Sequence, residues 1–132
     1  MGDVVLLKQE IVDGRTEELA SVLRETFETV ADGALAELLR LEGVYTESVF
    51  VERTGDADYL VWYFETEGIE RVAAVFEDLP EHAARVFDDP EPVLGALAAM
   101  RDCLVAPEEF QGADVELVAH LVNPDRPGDA TA

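Results

Sequence analysis

Ser48, Glu52, Tyr59, Tyr63, Glu65 and His120 are the side chains best suited to move a proton or hold a small polar ligand. A histidine titrates near neutrality, and a tyrosine or a semi-buried glutamate can give or take a proton in a dry site. Spacing makes them a group. Ser48, Phe50 and Glu52 alternate along one β-rich run, and Tyr59, Val61, Tyr63 and Glu65 along the next, so each set falls on one face of its strand. The same alternation adds Thr46, Lys8 and Glu10, and His120 comes from the last apolar run. Tyrosines with apolar bodies and polar tips also suit a packed interface, and Lys8 beside Glu10 reads as an ion pair at its rim. Interface packing is the stronger reading of this group, and catalysis the weaker.

Other chemistries lack their patterns. His82, in Pro80-Glu81-His82-Ala83, sits at an expected helix start, where a solvated or capping role fits best. The single cysteine, Cys103, excludes an internal disulfide and a cysteine metal cage. It lies in a helix-like run and reads as a buried structural thiol. There is no H-E-x-x-H pair, and Asp56-Ala57-Asp58 lacks the turn glycine and terminal glutamate of a calcium loop. Gly43, Gly55 and Gly68 are isolated turn glycines rather than a phosphate-binding loop, and no G-x-S-x-G elbow occurs. The sequence therefore predicts no metal and no cofactor.

Carboxylate number nominates no acid/base pair, because charge explains it. The 132 residues carry 30 acidic and 9 basic side chains, a net charge of -21, and only one of the cations is a lysine, Lys8. Such a charge pushes a compact chain apart. Screening decides how strongly: the Debye length is about 8 Å at physiological ionic strength and about 3 Å at 1 M. The acids are spread evenly, and 48% hydrophobic residues argue against a disordered acidic tail. Heat adaptation would enrich lysine. The composition predicts a halophilic protein of a salt-filled cytoplasm, most simply haloarchaeal. No basic stripe exists for nucleic acid. The N-terminal run lacks the basic flank of a signal peptide, and no apolar stretch approaches the ~20 residues of a membrane span.

Several elements must position the candidate residues. Val4 to Ile11 reads as a strand stopped by Asp13-Gly14. A helix follows, with Thr16 as N-cap and apolar residues at Leu19, Leu23, Phe27, Val30, Ala34, Leu38 and Leu41. Gly33 is a place for a kink and Gly43 for the C-cap. Val44 to Arg53 and Asp58 to Thr66 make a hairpin around Thr54-Gly55-Asp56-Ala57. A second helix starts near Ile69 and ends at Pro80. Residues 81–92 have no clear pattern, a short helix runs from Val93 to Leu104, and Val115 to Val122 is the last strand. The order β-α-β-β-α-(α)-β is the ferredoxin-like α+β pattern, with a four-stranded antiparallel sheet whose first and third strands are central. It predicts one domain over 1–122 and a polar tail over 123–132.

Helices on one face should leave the other polar, yet Tyr59-Leu60-Val61-Trp62-Tyr63-Phe64 is apolar on both. Hairpin pairing sets Ser48 opposite Tyr63, Phe50 opposite Val61 and Glu52 opposite Tyr59. Val49 with Trp62 and Val51 with Leu60 take the helix side. The first set, joined by Val4 and Leu6, needs a cover. A second copy is the simplest, and the helix at 93–104 is the alternative.

The stretch Glu42-Gly43-Val44-Tyr45-Thr46-Glu47-Ser48-Val49-Phe50-Val51-Glu52-Arg53, followed by Asp58-Tyr59-Leu60-Val61-Trp62-Tyr63, resembles a family of small prokaryotic proteins with many haloarchaeal members. That family belongs to the dimeric α/β-barrel superfamily of ferredoxin-like folds. The resemblance implies a homodimer with a cavity between two sheets and transfers no activity. Two functions remain open: a non-catalytic small-ligand-binding or regulatory module, and a cofactor-free oxygenase- or isomerase-like enzyme acting on a small organic molecule. Screening yields the first prediction. The thermal midpoint followed by circular dichroism should rise steeply between about 0.1 and 2 M KCl, and a salt-independent midpoint would contradict the halophilic reading.

Overall fold

The computed structural model describes residues 3–29, 32–109, 111–113, 118–119 and 121–125. Its elements are β1 (Asp3–Glu10), α1 (Thr16–Thr29), α2 (Asp32–Glu42), β2 (Val44–Arg53), β3 (Asp58–Thr66), α3 (Ile69–Glu77), α4 (Leu79–Val86), α5 (Glu91–Asp102) and β4 (Gln111–Ala113). The strands form one antiparallel sheet in the order β2-β3-β1-β4. This is the ferredoxin-like α+β arrangement, with β1 and β3 central as expected.

The hairpin closes where the turn residues require it. Gly55 has φ +94°, a region open to glycine. The Thr54 hydroxyl accepts from Ala57 N at 3.2 Å and donates to Ala57 O at 2.7 Å. The resulting register pairs Ser48 with Tyr63, Val49 with Trp62, Phe50 with Val61, Val51 with Leu60 and Glu52 with Tyr59. Each of these pairs is the one expected from alternation. A bulge between Val44 and Thr46 turns Tyr45 out to 60% exposure.

One core forms on the helix side of the sheet from Ile11, Leu19, Leu60, Trp62, Phe64, Cys103 and Leu104, with Val5, Leu7, Leu23, Val49, Val51 and Met100 packed around it. Burying Trp62 requires a partner for its N–H. Gln9 Oε1 accepts it at 2.9 Å, and Gln9 Nε2 donates on to Pro107 O at 3.2 Å. A smaller cluster of Ala83, Phe87 and Val93, with Leu38, Val86, Leu94 and Leu97, joins α2, α4 and α5.

The helical regions depart from the sequence reading in several places. The long first helix is two helices, α1 and α2, and Gly33 lies inside the second. Thr16 opens α1, with its hydroxyl donating to Asp58 Oδ2 at 2.7 Å, which ties the helix start to the hairpin. Pro80 does not end a helix but sits in the first turn of α4, where its missing N–H leaves no hydrogen bond unmade. Residues 81–92 are the rest of α4, a turn in which Asp89 Oδ1 accepts from Glu91 N, and the start of α5. His82 therefore lies within α4, half-buried, with Nδ1 buried and unpaired.

The last strand is also displaced. Leu104 bridges to Ile11, Val12 N donates to Cys103 O at 2.8 Å, and Val105 N donates to Glu10 O at 3.0 Å. These bonds return the chain to the edge of β1 early, so Gln111–Ala113 takes the edge position. Val118, Ala119, Leu121 and Val122, expected within a strand, are described outside any strand, and His120 falls outside the described residues.

The α2–β2 junction carries the strongest local constraint. Gly43 has φ +69°, and its carbonyl accepts from Glu67 N at 2.7 Å and from the Thr66 hydroxyl at 2.9 Å. Arg71 donates to the carbonyls of Leu41 and Arg40 at 2.8 and 3.0 Å, capping α2 from α3. A Cβ on Gly43 would meet Arg71 Cδ at 3.1 Å. Gly43→Ala should cost about 1–2 kcal/mol in denaturant unfolding, and an unchanged midpoint would show that the junction relaxes freely.

Candidate functional site

The face of the sheet away from the core gathers most of the residues singled out from sequence. Register places Thr46, Ser48, Phe50 and Glu52 of β2 beside Glu65, Tyr63, Val61 and Tyr59 of β3, and these beside Val4, Leu6, Lys8 and Glu10 of β1. Gln111 and Ala113 of β4 continue the row. Phe50 is 55% exposed, while Ser48, Tyr59, Val61, Tyr63 and Glu65 are half-buried by their neighbours. The alternative cover is excluded: α5 and the residues after it deliver Met100, Cys103 and Leu104 to the helix-side core. Among the described residues no helix packs on this face.

Its polar end is organised by Lys8. The ammonium reaches Glu52 Oε1 at 2.6 Å and lies 4.5 Å from the centre of the Tyr59 ring. The expected Lys8–Glu10 pair is thus replaced by one running diagonally across β3, from Lys8 opposite Val61 to Glu52 opposite Tyr59. An ammonium over a tyrosine face is attracted by the ring as well as by the carboxylate. The face therefore carries the Lys8–Glu52 ion pair and the Tyr59 ring toward one end, Phe50 and Val61 in the register row of Lys8, and Ser48, Tyr63 and Leu6 in the row beyond.

Two acids overlooked from sequence sit inside. Glu42, the last residue of α2, is 4% exposed, and half-buried Glu47 faces Phe64 on the helix side of β2. Burial drives the Glu42 carboxyl up to about 8, helped by the charge of Glu47, and burial drives Glu47 up to about 7. A signal was present in the pattern. Glu47 precedes Val49 and Val51 at an inward position of β2, and Glu42 follows Leu38 by one helical turn.

Cys103 is fully buried as expected, 3.7 Å from a Glu18 carboxylate oxygen, and burial pushes its thiol up. Asp58, part of the rejected calcium-loop pattern, is taken up by Thr16 and by Arg53 at 3.3 Å. Among the described residues no three histidine, cysteine or acidic side chains gather to hold a metal ion. No described helix is long and apolar enough to cross a membrane.

The chain belongs to the family of unknown function DUF6176, which it matches over residues 2–126. Among solved structures it is similar to a dimeric ferredoxin-like protein from an uncultured marine organism, at 10% identity and TM-score 0.49, covering 92% of each chain. It is similar to a nipsnap family protein of unknown function from Agrobacterium tumefaciens, at 16% identity and TM-score 0.48, covering 85% of this chain and 84% of that one. A cofactor-independent oxygenase from Streptomyces nogalater is similar at 18% identity and TM-score 0.43, covering 95% of this chain and all of the other. No curated protein matches the chain.

The inner carboxyls set a pH dependence. Each binds its proton more tightly in the folded chain than at its ordinary value of 4.5. Their contribution is full below that value and is lost as pH rises through about 7 and about 8. Folding stability at constant high salt should fall by several kcal/mol between pH 5 and 8.5. Glu42→Gln and Glu47→Gln should each flatten that slope and stabilise the protein at pH 8.5; an unaltered slope in both would show that neither carboxyl is protonated in the fold.

Proposed function

We propose that this protein is a homodimer closed by the open faces of two sheets, which hold a small organic molecule between them as a non-catalytic ligand-binding or regulatory module in a salt-filled cytoplasm. The observation that carries this reading is Phe50, 55% exposed beside Val61, Tyr59 and Tyr63 on a face that no described helix covers. An apolar face of this kind on a chain of charge -21 is a place for another surface. Two copies repel each other over most of their area, so they can meet closely only where acids are sparse. The central open face is such a place, since Glu52 is neutralised by Lys8 while Glu10 and Glu65 stand toward opposite ends. Multimolar salt removes the remaining long-range repulsion.

The ligand follows from the lining. Tyrosine rings and Phe50 favour a flat or aliphatic body, and the hydroxyls of Ser48 and Tyr63 favour a molecule with one or two hydrogen-bonding groups. A cofactor-free oxygenase- or isomerase-like activity would use the same hydroxyls. The binding role is preferred because Lys8, the cation over the Tyr59 ring, is already paired with Glu52.

Light scattering in about 2–3 M KCl should give twice the 14.5 kDa of one chain. Phe50→Asp, on an exposed position, should run as a folded monomer with an unchanged circular dichroism spectrum. A monomeric wild type would end this reading. A crystal structure with the space between the sheets filled by protein side chains would retain the dimer and remove the ligand, and turnover of a bound small molecule would replace the binding role with the enzymatic one.

A further inference from the structure

Past β4 stand the two most exposed large apolar side chains among the described residues, Val118 at 89% and Leu121 at 95%, with Val122 at 53%. No charge interrupts Val118-Ala119-His120-Leu121-Val122. In a chain with 30 acidic residues, an uncharged stretch with large apolar side chains in water calls for a partner surface. Its content of branched residues suits a strand, yet the edge of β1 where it would pair is already taken by Gln111–Ala113. The Phe50 end of the open face is the matching deficit, and it lies on β2, at the opposite edge of the sheet from β4.

Symmetry brings the two together. If two sheets stack face to face about a two-fold axis running along the strands, the order β2-β3-β1-β4 meets its own reverse. The β4 edge of one copy then stands over the β2 edge of the other. Stacked sheets lie about 10 Å apart. Val118 follows Ala113 by five residues, a span of up to about 17 Å of chain, so the segment reaches the facing sheet without disturbing β4.

We propose that Val118, Leu121 and Val122 of one copy pack against Phe50 on the open sheet face of a second copy, so that each chain covers the other's exposed edge. This inference rests on the homodimer reading and names the segment that completes its interface. The side chains are in water in the single chain, so charging them spares the fold.

Val118→Asp/Leu121→Asp is compared with wild type by light scattering and sedimentation in about 2–3 M KCl, with circular dichroism as the control. The expected result is a dimeric wild type and a variant of unchanged spectrum whose dimer dissociation constant rises about 100-fold. A wild type that is monomeric overturns both the dimer and this inference. A dimeric wild type with an equally tight variant overturns this inference alone. As a second readout, Phe50→Cys/Leu121→Cys should form a covalent dimer on mild oxidation, reversed by reductant; Cys103 is buried and does not compete. A disulfide closed within one chain, or none at all, counts against the proposal.

Discussion

β3 is apolar on both faces, and the rest of the structure follows from having to cover it twice. Toward the helices it sends Leu60, Trp62, Phe64 and Thr66, all buried. Leu19 and Leu23 of α1, and Met100, Cys103 and Leu104 at the end of α5, close over that side. The central position of β3 makes this possible, because β1 and β2 satisfy its backbone on both edges and leave only the side chains to be housed. The chain uses its helices on one side, so the other side, with Tyr59, Val61 and Tyr63, has no intramolecular cover among the described residues. A hydrophobic strand needs two apolar neighbours, and among the described residues the chain supplies only the one on the helix side.

Charge acts on the same architecture from outside. With nine cations against 30 acids, several of the cations join separate elements. Arg71 caps α2 from α3, and Arg53 links Glu17 of α1 to Asp58 of β3. Arg101 reaches Glu108 beyond the end of α5, and Lys8 bridges to Glu52 across β3. Exposed ion pairs stabilise little individually, and salt screens them further. Their value here is positional. The Arg71 bonds to backbone carbonyls satisfy groups that a helix end otherwise leaves to water, and these short-range bonds survive in high salt where long-range charge effects do not.

The β-hairpin was legible in the sequence to the level of single residue pairs, because a period of two and a short glycine turn leave one register that keeps Val49 and Val51 inside. The open face with Ser48, Phe50, Glu52, Tyr59, Val61, Tyr63 and Glu65 was legible for the same reason. The helical half was less so. Pro80 signals a boundary but not its direction, and it began α4 rather than ending α3. The edge strand Gln111–Ala113 was not legible, because its place beside β1 follows the Ile11–Leu104 bridge, which no local pattern records. Glu42 and Glu47 were hidden by abundance, since two more acids among 30 carry no signal unless their inward positions are read.

Those two acids bear on how the composition should be understood. Exposed carboxylates such as Glu17, Glu28 and Glu81 keep their hydration, which a glutamate that is 4% exposed does not. An interior carboxylate opposes folding by desolvation, and a second one nearby adds repulsion. Holding a proton relieves both, and it turns an acceptor-only group into one that can also donate a hydrogen bond. Glu47 is adjacent in sequence to Ser48 and points to the opposite side of β2. A single strand therefore carries a protonatable carboxyl on the helix side and a hydroxyl on the open face. Burial thus raises the proton affinity of the two acids that face inward.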